Sequence, residues 1–203
     1  MGAVVDVPSA SLVLALSMAG RCGIVTRYVA LLRGVNVGGR TKVVMDDVRH
    51  IFAELGHTDI ETYLQSGNVI FRCSEANLSR GAADIEERVV RELGVTTTVL
   101  LRTADELAAI VATNPLLDRE SDFTKLHVAF LADEPKPERS ARLATPAGLP
   151  DELAIVGREV YLHCPNGYGK TKLHNAFIER RLGVAATTRN WKTVTNLHRL
   201  ASE

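Results

Sequence analysis

Tyr28-Val29-Ala30-Leu31-Leu32 and His127-Val128-Ala129-Phe130-Leu131 are two versions of one apolar strand. The echo continues. Val69-Ile70-Phe71-Arg72-Cys73 returns as Val160-Tyr161-Leu162-His163-Cys164, and Leu93-Gly94-Val95 with its trailing threonines returns as Leu182-Gly183-Val184 ahead of Thr187-Thr188. The offsets are 99, 91 and 89 residues, in unbroken order. Three collinear anchors predict an internal duplication whose second copy has slightly shorter loops.

Working outward from these anchors gives the element order. Residues 27–37 read as a strand. Val44, Met45, Val48, Ile51, Phe52 and Leu55 follow helical spacing and stop at Gly56. Residues 60–65 and 69–73 read as two strands joined by the turn chemistry of Ser66-Gly67-Asn68. An amphipathic helix covers 78–93, a β-rich run follows at 96–101, and a short helix at 104–112 halts before Asn114-Pro115. The second copy repeats the pattern: strand 126–131, a weak helix at 137–143, strands 153–156 and 160–164, helix 171–182 and a short strand at 185–188. A last helix starts near Trp191. Strand, helix, strand, strand, helix, strand is the ferredoxin-like split βαβ order. The expected fold is α+β: two ferredoxin-like βαββαβ halves with antiparallel sheets, plus a C-terminal helix. The expected division is 26–113, a connector at 114–123, and 124–203. Residues 1–25 differ in character from the rest. No basic group precedes their apolar run and Asp6 stands where a signal peptide needs positive charge, so they are expected to be an appended, disordered segment.

The chain has 203 residues with 24 basic and 24 acidic side chains. That balance argues against a general nucleic-acid coat, although the last 43 residues collect seven of the cations. Three widely spaced cysteines, with no CxxC and no Cys/His ligand spacing, give no reason to expect a metal or cofactor and fit a reducing cytoplasm.

The copies differ in informative places. After the first strand comes Arg33-Gly34-Val35-Asn36-Val37-Gly38-Gly39-Arg40-Thr41-Lys42, whereas its counterpart is the ordinary loop Ala132-Asp133-Glu134-Pro135-Lys136. Glycines let backbone N–H groups approach a ligand, and the cations suit a phosphate or carboxylate. The spacing matches neither GxxxxGK[ST] nor GxGxxG. Because strands one and two of a split βαβ unit run parallel, Gln65, Ser66, Gly67 and Asn68 fall at the same end of the sheet as Arg33, Gly34, Asn36, Gly38, Gly39 and Lys42. The counterpart turn, Val156-Gly157-Arg158, lacks the amides. A third difference is Arg189-Asn190-Trp191, with the chain's single tryptophan. These three could stack on and hydrogen-bond a ring, or simply cap and pack the last helix. Asn166-Gly167-Tyr168-Gly169-Lys170 is another glycine-rich basic loop, suited to a cap or a second anion contact.

The stretches YVALLRGVNVGG (28–39), QSGNVIF (65–71) and TRNWKTV (188–194) resemble the signatures of the bacterial domain-of-unknown-function family 1697. The resemblance covers about residues 27–200 and implies two ferredoxin-like halves. It implies no activity. The leading expectation is a cytoplasmic protein that binds a small phosphorylated anion at the glycine-rich edge of the first half. The rivals are single-stranded nucleic-acid binding, an enzyme of unidentified class, and a protein-interaction module. No triad, carboxylate pair or RNP1 pattern supports the first two. No membrane association is expected, and the oligomeric state is not legible.

Overall fold

The computed structural model describes residues 25–37, 42–74 and 81–203. The first half contains β1 (Val25–Leu32), α1 (Met45–Glu54), β2 (Thr58–Thr62), β3 (Asn68–Ser74), α2 (Gly81–Leu93) and β4 (Val99–Thr103), followed by α3 (Ala104–Ala112). The second contains β5 (Leu126–Leu131), the short α4 (Pro137–Ser140), β6 (Glu152–Val156), β7 (Glu159–His163), α5 (Asn175–Leu182) and β8 (Ala186–Asn190), followed by α6 (Trp191–Ser202). The strand orders are β2-β3-β1-β4 and β6-β7-β5-β8, and every neighbouring pair is antiparallel. Each half is therefore a ferredoxin-like βαββαβ unit, and the chain is a duplication of it.

The first strand begins at Val25 and ends at Leu32, five residues before the expected end. Gly34 and Asn36 hold φ of 76° and 54°, left-handed values that turn the chain out of the sheet despite its apolar pattern. β4 runs to Thr103 rather than Leu101, and β8 to Asn190 rather than Thr188. This shift makes Arg102 and Arg189 members of strands. The expected appended segment, residues 1–25, lies outside the described residues except for Val25, which opens β1.

Both faces of each sheet are buried, and strand alternation divides them. Tyr28, Ala30 and Leu32 of β1 face α1 and α2 in one core. Ala129 and Leu131 of β5 belong to the equivalent core around α5. The intervening residues, Val29 and Leu31 of β1 with Val128 and Phe130 of β5, enter a third core that the halves share. Helices α3 and α6 fill it. Leu107 and Ile110 come from α3, and Trp191, Val194, Leu197 and Leu200 from α6, which packs on β1 and β3 as well as on β5 and β8. The sheet faces that nucleic-acid-binding members of this fold expose are thus covered here, and Phe71 is fully buried in the helix-facing core. No helix among the described residues is long and apolar enough to cross a membrane.

Trp191 is only 2% exposed. Its ring is part of the shared core and offers no face to a ligand. Trp191→Ala is expected to cost about 3 to 5 kcal/mol in chemical denaturation, as for a large buried aromatic elsewhere. A loss under 1 kcal/mol would contradict its place in that core.

Candidate functional site

The last residue but one of the fourth strand of each half is an arginine that reaches into the other half. Arg102 pairs with Val29 across the first sheet, and Arg189 pairs with Val128, the matching residue of the second. Arg102 donates from Nη2 to the Leu131 carbonyl at 2.8 Å and the Arg158 carbonyl at 3.3 Å. Arg189 donates from Nη2 to the Leu32 carbonyl at 3.1 Å, the Ser66 carbonyl at 3.0 Å and the Gly67 carbonyl at 3.4 Å. Leu131 and Leu32 occupy equivalent positions: each donates its N–H to the partner hairpin, Leu131 to Arg158 at 2.9 Å and Leu32 to Gly67 at 2.8 Å. The two arginines form a reciprocal clasp about a pseudo-twofold axis.

The symmetry fails in charge. Arg102 Nε donates to the Glu159 carboxylate at 2.8 Å. Arg189 Nε donates at the equivalent position to the Asn68 amide oxygen at 2.5 Å. Beside the first clasp Arg158 pairs with Glu106. Those two positions are Gly67 and Thr193 beside the second. The first clasp balances two cations with two carboxylates. The second leaves Arg189, 8% exposed, with no carboxylate contact among the described residues. Burial pushes its pKa down to about 10, which still leaves it charged at neutral pH. Burial also lowers Arg102, but Glu159 offsets part of the shift. An uncompensated buried cation is costly, and an incoming anion would relieve that cost.

Arg189 borders a cleft of about 270 Å³ whose other walls include Leu32, Arg33, Gly34, Val35, Ser66, Tyr168, Asn175, Thr187 and Thr188. Hydroxyls supply hydrogen-bond capacity. Ser66 Oγ accepts from Asn68 Nδ2 at 3.0 Å and keeps its own proton to donate. Thr187 Oγ1 does the same while accepting from Arg189 at 2.8 Å. Tyr168 stays protonated because burial pushes its hydroxyl up, partly offset by the Thr188 side chain.

Of the residues expected from sequence, Ser66, Gly67, Asn68 and Arg189 meet at this point, with Arg33 and Gly34 on the cleft wall. Arg33 contributes no net charge. Its guanidinium makes a two-pronged ion pair with Glu179 of α5 at 2.6 and 2.7 Å, which raises its pKa. Glu179 also accepts from the Ala186 N–H at 2.8 Å. Asn36 ties the loop together, donating to the Val43 and Gln65 carbonyls at 2.9 and 2.7 Å. Gln65 and Lys42 have exposed side chains. Asn190 caps α6 by accepting from the Thr193 N–H at 2.8 Å, and Trp191 is core. Gly38 and Gly39 lie outside the described residues. Sequence reasoning missed the role of Arg102, Glu159, Glu179 and Thr187. A signal for the first existed, since Arg102-Thr103 aligns with Arg189-Asn190 once the copies are superposed.

Gly67 is required by the close packing of the hairpin on the Arg33 loop. It holds φ 73°, and a Cβ there would collide with Val35 and lie 2.9 Å from Leu32 Cβ. Gly67→Ala is expected to cost roughly 2 to 4 kcal/mol. Arg33→Ala, which breaks a partly exposed ion pair, is expected to cost only about 1 kcal/mol. Urea titration of both variants checks the order, and a reversed ranking would refute this account of the loop.

A family model described as "Protein of unknown function (DUF1697)" matches residues 25–161. The structure of the conserved bacterial protein SP0830 from Streptococcus pneumoniae is similar, with a TM-score of 0.67 and 23% identity over 87% of this chain and 99% of that one. At that identity the likeness shows the fold. No curated protein matches the chain.

Proposed function

The chain belongs to this family of proteins of unknown function, DUF1697, and on that premise we propose that it is a cytoplasmic protein binding a small phosphorylated anion between its halves, at the glycine-rich edge of the first. The observation that carries the reading is the broken charge symmetry of the clasp. The same arginine position is neutralised by Glu159 in one copy and left facing the neutral Asn68 in the other. A cleft whose walls include Ser66, Tyr168, Thr187 and Thr188 lies beside the unbalanced copy. In a site of low dielectric one unpaired cation favours an anion strongly, even where its own N–H groups are satisfied by carbonyls. The hydroxyls of Ser66, Thr187 and Tyr168 would then supply the direct hydrogen bonds.

Asn68→Asp tests this by giving Arg189 the carboxylate that Arg102 already has, with loss of the Asn68 N–H bonds to the Tyr63 carbonyl and Ser66 Oγ. Inorganic phosphate at low ionic strength is expected to raise the melting temperature of the wild-type protein, and the Asp variant is expected to lose that response. Tyr168→Phe, which keeps the ring, is expected to weaken phosphate several-fold. An unchanged phosphate response in Asn68→Asp would exclude Arg189 as the anchor.

A further inference from the structure

A second lobe adjoins the cleft across shared wall residues. Ser66, Tyr168, Thr188 and Arg189 line both lobes, and beyond them the second, also about 270 Å³, is walled by Leu64, His127 and Thr193. Its counterpart at the first clasp is lined by Glu106, Arg158, Glu159 and Tyr161 and holds the Arg158–Glu106 ion pair. At the second clasp Thr193 and Gly67 stand in the places of those two charged residues, so the lobe carries neither of their charges. His127 is 7% exposed, and burial lowers its pKa, which leaves the imidazole neutral at neutral pH. Its ring stacks on Tyr168 with centroids 4.7 Å apart and planes at 24°. Leu64 stands at the mouth. It holds a left-handed φ of 59°, uncommon for a branched apolar residue, and leaves its side chain 54% exposed. A strained backbone that holds an apolar side chain toward solvent beside a cleft suggests a contact made only with an occupant.

Resting on the anion reading above, we infer that the ligand has two parts and belongs to the nucleoside monophosphate class. Its phosphate lies in the first lobe by Arg189. Its planar, uncharged ring lies in the second, against Leu64 and beside the His127–Tyr168 stack. Ser66, Thr188 and Arg189 lie where the lobes meet; Asn175 and Thr187 belong to the first lobe alone, and Leu64 and His127 to the second alone.

Calorimetric titration of the full chain with ribose 5-phosphate, AMP and UMP tests the second lobe apart from the first. Both nucleotides are expected to bind roughly tenfold tighter than ribose 5-phosphate, the gain that a stacked base supplies. Leu64→Asn suits the left-handed backbone and removes the apolar wall. It is expected to reduce that advantage to about twofold while leaving the affinity for ribose 5-phosphate unchanged. Equal affinity for all three compounds, or a nucleotide advantage that survives Leu64→Asn, would overturn the two-part ligand while leaving the anion site standing. Failure of all three to bind would overturn both.

Discussion

Two arginines, each the last residue but one of the fourth strand of its own half and buried in the other, hold the relationship between the halves. A guanidinium has five N–H donors in a fixed fork, so it can satisfy several carbonyls at a strand end at once and fix the geometry in which they meet. Arg189 gathers the Leu32, Ser66 and Gly67 carbonyls, and Arg102 gathers those of Leu131 and Arg158. The shared core of α3 and α6 supplies the apolar burial, but burial is non-directional. The clasp gives it a register.

Reciprocity makes the clasp informative, because one copy is an internal control for the other. The two sites share strand position, the arginine and the carbonyls it gathers, so their difference in charge follows from a few side chains. Glu159, Glu106 and Arg158 make the first a closed ionic network. Asn68, Thr193 and Gly67 leave the second with one unbalanced cation. A duplicated fold can leave one copy self-contained for structure and release the other for a ligand. The glycine at position 67 serves this arrangement twice. It removes a charged side chain from the second lobe, and it lets the hairpin close tightly on Val35 and Leu32.

Much of this was legible in the chain. Collinear repeats identified the duplicated halves because strand and helix periodicities are local and survive in both copies. Comparing the copies directed attention to the Arg33 loop, the Gln65–Asn68 turn and Arg189 because parallel strands bring their following loops to one end of a sheet. The chemistry assigned within that group shifted. Arg33 read as the charge carrier, yet its charge is cancelled by Glu179, 146 residues away. Trp191 read either as a stacking surface or as packing for the last helix, and the shared core decides for packing. Neither partner is near in sequence.

The sequence by itself determined the local elements, their order, the duplication and the end of the sheet where unusual residues collect. These depend on periodicity, turn chemistry and chain connectivity, all carried by neighbouring residues. Only the tertiary structure decided how the halves face each other, which arginine is neutralised and which is left charged, and where the two lobes of the cleft open. Those outcomes depend on contacts between residues far apart in the chain, 57 positions for Arg102 and Glu159 and 146 for Arg33 and Glu179. A charge pair buried between two domains is set by their packing, and no local pattern encodes it.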